Sequence, residues 1–196
     1  QSEDSEYFSW YNFTSFPKGY DSGWVKNSLP AVNKNNDGFL NFIAGKNGVL
    51  EYYTKLGVGG WRLDVVDELP DRFVKKIRNT IKSNDKNALI IGEVWEDASN
   101  KISYGVRREY FQGEELDSVM NYPLKNAIIE YVITEDVSRL IYVINEQIDH
   151  YPKTVLDSLM NILSTHDTFR LLSAVSGLDV RDKSKDELNN LLIRSE

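Results

Sequence analysis

Three apolar runs in this chain each end at, or one residue before, an acidic side chain. The runs are Gly60-Trp61-Arg62-Leu63-Asp64, Ala88-Leu89-Ile90-Ile91-Gly92-Glu93 and Met160-Asn161-Ile162-Leu163-Ser164-Thr165-His166-Asp167. A short apolar run bounded by polar residues is the pattern of a strand buried on both faces, as in a parallel sheet. In β/α barrels and open α/β sheets, the carboxyl ends of the strands are where chemistry is placed. Carboxylates at three such ends therefore constrain both the architecture and the location of a site.

The segments between the runs carry helical periodicity. Phe39, Phe42, Ile43, Val49, Leu50, Tyr53 and Leu56 predict a helix over 39–56, with Gly57 as its C-cap. A strand is expected at about 60–66. A helix is expected at about 70–82, opened by Pro70, with Phe73, Ile77 and Ile81 on one face. Further strands are expected at about 88–93, 116–120 and 159–164. Helices are expected at about 123–133 and 136–149, from near Thr168, and from near Ser184 with Glu187 as a capping-box partner. Residues 1–38 read as an irregular loop, with aromatics interleaved in Tyr7-Phe8-Ser9-Trp10-Tyr11-Asn12-Phe13. Strands alternating with helices imply parallel βαβ units. Four strands do not close a barrel, which takes eight. We expect one domain over 1–196: a loop region over 1–38, then β/α units over 39–196.

Composition excludes several function classes. The formal net charge is −7, which disfavours nucleic acid and anionic lipid as partners. No stretch approaches the roughly 18 apolar residues of a membrane helix. The chain has no Cys, which removes disulfides and thiolate metal sites, and its two His are not at helical spacing, which disfavours zinc. Gln1 opens a polar stretch with no initiator Met or signal peptide, and the last amphipathic pattern stops at Glu196. The chain is therefore expected to be a piece of a longer protein.

The acids can be read chemically. Arg62 and Asp64, at i and i+2 on a strand, share a face, and the guanidinium keeps the carboxylate ionised. Such a carboxylate can act as a nucleophile at an anomeric carbon. Glu93 follows Ile90-Ile91-Gly92, and an apolar surround suits a general acid. Gly92 permits close approach. His166-Asp167 can hydrogen-bond neighbouring hydroxyls, with Thr168 as a candidate helix N-cap. Each admits a plainer reading: an Arg–Asp pair closing a strand end, a solvated capping Glu, an Asp capping a helix. The three together, all at carboxyl ends of parallel strands, favour a site that cleaves glycosidic bonds.

These motifs resemble the α-amylase family of glycoside hydrolases (glycoside hydrolase family 13). Gly60-Trp61-Arg62-Leu63-Asp64-Val65-Val66-Asp67-Glu68 is similar to its nucleophile motif on barrel strand four. Gly92-Glu93-Val94-Trp95 is similar to its acid/base motif on strand five, and His166-Asp167 to its stabiliser motif after strand seven. Asp64 and Glu93 are 29 positions apart, and Glu93 and Asp167 are 74 apart, as the resemblance requires. Leu29-Pro30-Ala31-Val32-Asn33 resembles the Met-Pro-Lys-Leu-Asn segment of neopullulanases, cyclomaltodextrinases and maltogenic amylases. Ile91 to Ala98 and Asp117-Ser118-Val119-Met120-Asn121-Tyr122-Pro123 resemble stretches of the same enzymes.

The resemblance implies a partial TIM (β/α)8 barrel, approximately strands four to seven with their helices. It implies Asp64 as nucleophile, Glu93 as acid/base and Asp167 as transition-state stabiliser. Arg62 would orient Asp64, His166 would bind a hydroxyl, and Trp95 and Glu68 would lie on the acceptor side. A salt bridge is the plainer reading of Glu68, and packing over the strand end that of Trp95. The implied reaction is retaining hydrolysis of α-1,4-glucosidic bonds in maltodextrins, cyclodextrins or pullulan, with carboxyl groups about 5–5.5 Å apart. Transglycosylation or α-1,6-glucosidase activity on the same scaffold is the alternative. A non-catalytic sugar-binding or partner subunit is the alternative of another class, disfavoured because all three acids are present. The family's first motif, on strand three, has no counterpart here, so the chain alone is expected to be inactive and to self-associate through exposed strand edges. No cofactor is implied. Calcium occurs in the wider family, but the missing motif would contribute a ligand, so no calcium site is expected. The subgroup implies a cytoplasmic location.

Overall fold

A computed structural model describes residues 2–22, 29–176, 184 and 187 of the chain. At its centre are three parallel strands, β3 (Gly60–Leu63), β4 (Leu89–Gly92) and β7 (Ser118–Val119), in the order β3-β4-β7. Gly60 to Leu63 pair in register with Leu89 to Gly92, and Ile91 and Gly92 with Ser118 and Val119. These three strands lie side by side in the order in which they occur in the chain. The first two apolar runs are thus strands.

The crossover between β3 and β4 is α3 (Asp71–Asn84), which buries Phe73, Val74, Ile77 and Ile81 and is preceded by Pro70 as N-cap. Its carboxyl end is tied to the sheet by Asp117. One Asp117 oxygen accepts from Arg78 at 2.9 Å, the other from Lys82 at 2.7 Å and from the Ile90 N–H at 2.9 Å. Asp117 thus joins two strands and a helix at the amino-terminal end of the sheet.

The helix expected over 39–56 is two helices, α1 (Asp37–Ala44) and α2 (Val49–Lys55). The break is at Gly45-Lys46-Asn47-Gly48. A Cβ on Gly45 would meet the Asn41 carbonyl oxygen at 2.4 Å, and Asn47 has φ of +60°. α2 ends in a Schellman motif: the Gly57 N–H bonds to the Thr54 carbonyl, the Val58 N–H to the Tyr53 carbonyl, and Gly57 has φ of +96°. That C-cap was expected.

Residues 1–38 hold a short hairpin, β1 (Phe13–Ser15) with β2 (Gly19–Tyr20), and an aromatic cluster with Phe8 stacked on Phe13 at 4.9 Å. The long connection after β4 holds a second hairpin, β5 (Ile102–Ser103) with β6 (Val106–Arg107). Its turn residues Tyr104 and Gly105 both have positive φ. Tyrosine is an uncommon choice there, so the sequence carries no Asn-Gly-like signal.

β7 leads into α4 (Tyr122–Thr134), which Asn121 caps by accepting the Leu124 N–H. α5 (Ser138–His150) and the short α6 (Lys153–Leu156) follow. Asn121 and Gln147 exchange two hydrogen bonds, locking α4 to α5. The fourth strand, expected at 159–164, is reduced to one parallel bridge between Met120 and Met160. The Asn161 N–H turns back to the Leu159 carbonyl, and the bridge is not extended. The helix expected from Thr168 begins instead at Leu171, as α7 (Leu171–Val175). Thr168 spends its hydroxyl on the Thr165 N–H. Ser184 and Glu187 make the reciprocal bonds of a capping box; the rest of the helix expected there lies outside the described residues. Among the described residues, no helix is long and apolar enough to cross a membrane.

A buried acid lies behind the sheet. Glu115 is fully buried and neither carboxyl oxygen has a hydrogen-bond partner. Burial, with the like charge of Asp71, raises its pKa to about 7 from 4.5, against the pull of Arg108 and Lys75. The folded chain therefore holds this proton more tightly than the unfolded chain does, and stability falls as pH rises from about 4.5 to about 7. Glu115→Gln is expected to be more stable than the wild type at pH 8, by on the order of 2–3 kcal/mol, and no more stable at pH 4. Urea denaturation at the two pH values checks this. An equal difference at both would show that the Glu115 charge is not the cause.

Candidate active site

β3 and β4 end side by side. Because Leu63 pairs with Gly92, the next residues, Asp64 and Glu93, leave adjacent strands at the same level, and the Glu93 N–H bonds to the Leu63 carbonyl. Gly92 makes this possible. A Cβ there would meet Leu116 Cδ1 at 2.5 Å and Val66 Cγ1 at 3.0 Å.

One guanidinium serves both acids. Arg62 Nη1 donates to Asp64 Oδ1, and Nη2 lies 3.0 Å from Glu93 Oε1. The Nη2 hydrogens are off line for a hydrogen bond to Glu93, so that contact is one of charge. Arg62 Nε is turned towards Met120 Sδ at 3.3 Å. Burial works against the Arg62 charge, but the bond to Asp64 and the charges of Glu93 and Asp64 outweigh it and raise its pKa.

The two acids differ sharply in exposure. The Asp64 side chain is 73% exposed and that of Glu93 is 3% exposed. The apolar sleeve expected around Glu93 is instead a polar socket. Besides Arg62, Glu93 Oε2 accepts the Val65 N–H at 2.7 Å, and the Tyr122 hydroxyl reaches Oε1 at 3.5 Å. Val65 is a β-branched residue in left-handed backbone, φ +41° and ψ 55°. That conformation is costly for valine, and here it turns the N–H towards Glu93.

Tyr122, the first residue of α4, connects the pieces and was not singled out in the sequence. Its ring stacks on Trp95 at 4.2 Å with planes 10° apart. Burial raises its phenol pKa, a hydrogen bond with Thr165 opposes the rise, and the Glu93 and Asp167 charges add to it. Tyr122 thus touches Glu93 and the segment that carries His166 and Asp167. Its Tyr-Pro pair at a helix start was the available signal.

His166 Nε2 lies 3.1 Å from Asp167 Oδ2, with the two side chains 78% and 43% exposed. The Asp167 N–H bonds to Thr165 Oγ1. The structure thus puts Arg62, Asp64 and Glu93 in direct contact, and relates Asp167 to them through Thr165 and Tyr122.

Glu68 holds two segments. It pairs with Lys34 at 3.4 Å, just after the Leu29–Asn33 stretch, and accepts the Tyr104 hydroxyl at 2.6 Å. Trp95 keeps 44% of its surface exposed. Farther out, Asp97, Glu146 and His150 bring three donor atoms within 4.8 Å of one another. His150 Nδ1 lies 2.7 Å from Asp97, whose hydrogen bond raises the imidazole pKa. This trio is engaged internally and lies outside the acid cluster.

The profile of the alpha amylase catalytic domain matches residues 20–196. A cyclomaltodextrinase from Thermoanaerobacter pseudethanolicus is 31% identical over 192 residues, covering 91% of this chain and 31% of its own length. A cyclomaltodextrinase from a Bacillus species is 29% identical, covering 95% of this chain and 32% of its own length. Among solved structures, the cyclic alpha-maltosyl-(1→6)-maltose hydrolase of Arthrobacter globiformis superposes with a TM-score of 0.78 at 25% identity, over 90% of this chain and 39% of that one. The chain spans about a third of the length of the curated relatives it matches. With its acid-bearing strand ends and a profile match over most of its length, the chain belongs to the alpha-amylase catalytic-domain family.

Proposed function

We propose that this chain carries the central catalytic groups of a retaining α-glucosidic hydrolase, on approximately barrel strands four to seven. The observation that carries the reading is the single Arg62 guanidinium set between exposed Asp64 and buried Glu93. In the first step, an Asp64 oxygen attacks the anomeric carbon as the glycosidic C–O bond breaks, and Glu93 gives its proton to the leaving oxygen. A β-glycosyl ester on Asp64 results. In the second step, Glu93 takes a proton from water, the water oxygen attacks the anomeric carbon, and Asp64 is released. Asp167 and His166 hold hydroxyls of the distorted ring, and Arg62, bonded to Asp64, keeps its carboxylate aimed. Trp95 and Glu68 lie towards the acceptor side. The chemistry calls for no cofactor.

The substrate class is an α-1,4-glucan: a maltodextrin, a cyclodextrin or pullulan. The relatives named cyclomaltodextrinase, and the neopullulanase of Thermoactinomyces vulgaris at 28% identity, support it. A second reading, cleavage of α-1,6 bonds, is supported by similarity to a debranching enzyme of Nostoc punctiforme, with a TM-score of 0.75 at 26% identity. A cytoplasmic location is supported by the relative named intracellular maltogenic amylase in Bacillus subtilis, 27% identical. Assaying the full-length parent on cyclodextrin, pullulan and starch, with NMR of the first anomer released, tests the reading. An α-anomer is expected; a β-anomer, or no release from any of the three, would defeat it.

The chain alone is expected to have little activity and to self-associate. Light scattering and dye binding test the association. A clean monomer with cooperative unfolding and little exposed apolar surface would contradict it.

A further inference from the structure

A cavity of about 340 Å³ opens beside Trp95, between the segment after β4 and the α4–α5 pair. It lies apart from Asp64 and Asp167, and its helix-borne lining has no role in the chemistry above. One face of the Trp95 ring is covered by Tyr122, yet the side chain remains 44% exposed. Tyr142, on α5, is 52% exposed. The Arg139 guanidinium carbon sits 5.5 Å over the Tyr142 ring, and among the described residues Arg139 forms no ion pair. Asn126 from α4 and Glu146 from α5, which is bonded to the Tyr142 hydroxyl and lies 3.9 Å from His150, complete the polar lining.

This mixture fits a particular ligand chemistry. A sugar ring offers an apolar C–H face and a rim of hydroxyls that both donate and accept. Aromatic rings suit the face, and planar amide, guanidinium and carboxylate groups suit adjacent hydroxyls. Glu96, Asp97 and Glu146 around one arginine disfavour an anion, and the polar groups disfavour a lipid tail. The volume is at the small end of the range for small-molecule sites, about 300–1,000 Å³. That leaves room for a short neutral oligosaccharide segment.

We propose that this cavity is an accessory subsite for the remote units of a neutral α-glucan, reached over Trp95 from the acid cluster. The inference rests on the function proposed above. Trp95 is the link: it lies one residue beyond the neighbour of Glu93 and also lines the cavity. A long glucan would span both places, whereas maltose would occupy only one.

Isothermal titration calorimetry of the full-length parent carrying Asp64→Asn, which cannot turn the sugar over, with maltose and with maltohexaose tests this. Tyr142→Ala and Arg139→Ala change exposed side chains, and far-UV circular dichroism verifies that each folds. Each is expected to raise the Kd for maltohexaose about tenfold, equivalent to about 1.4 kcal/mol, and to change that for maltose less than about twofold. Tyr142→Phe, which keeps the ring, is expected to retain most of the affinity. Unchanged maltohexaose affinity in both alanine variants would overturn the subsite and leave the acid cluster's role standing. Failure of the Asp64→Asn parent to bind either sugar would overturn both.

Discussion

Asp64→Asn in the full-length parent is expected to lower kcat on cyclodextrin by about 10⁴-fold or more while hardly changing stability. The two halves of this expectation come from different observations. In the proposed mechanism the carboxylate forms the covalent ester, and the amide that replaces it cannot, so the loss falls on the chemical step. Its side chain is 73% exposed, and its partner Arg62 retains Glu93 as a second carboxylate. An exposed ion pair of this kind contributes about 1 kcal/mol or less. If Asp64 only closed the end of β3, the variant would keep its activity. Steady-state kinetics together with urea denaturation separate the two readings.

At a pH high enough to ionise Glu93, Arg62→Met is expected to destabilise the chain by about 3–5 kcal/mol, because it leaves a buried carboxylate without its cation. Glu93 is 3% exposed and keeps only the Val65 N–H and the long Tyr122 contact once Arg62 is gone. The double variant Arg62→Met, Glu93→Gln is expected to recover about half of the loss, since a neutral amide accepts the same N–H and needs no counter-charge. Urea denaturation of the four proteins gives the coupling. A single-variant loss below about 0.5 kcal/mol would show that Glu93 is held by its other contacts alone.

How much of this was legible in the chain depends on the range of the interaction concerned. β3, β4 and α3 were readable because their signals are local: apolar runs for two buried strands, and a clear apolar face behind Pro70. Gly57 was readable because a Schellman cap is a short-range motif. The break at residues 45–48 was not, because Val49 and Leu50 resume an apolar pattern and mask the two glycines that permit the turn. The strand expected at 159–164 failed for a tertiary reason. Its composition suits a strand, but the ladder with β7 ends after Met160 as the chain folds back.

The site divides in the same way. The positions of Asp64 and Glu93 followed from the strand ends. The socket around Glu93 did not, because it depends on the backbone of Val65 and on Tyr122, 29 residues further along the chain. An apolar run read along the sequence says nothing of the polar groups brought from neighbouring strands. Thr168 also looked like a cap from its position, but its hydroxyl closes the loop that presents His166 and Asp167.

The most direct test of the acid assignments is to trap the covalent intermediate. The full-length parent would be incubated with a 5-fluoro-α-glucosyl fluoride, which slows release of the glycosyl ester, then digested and its labelled peptide sequenced by mass spectrometry. A single fluoroglucosyl group on the side chain of Asp64 is the predicted result. A label on any other carboxylate, or hydrolysis of the reagent with no label under conditions that trap a known retaining glucosidase, would contradict the account.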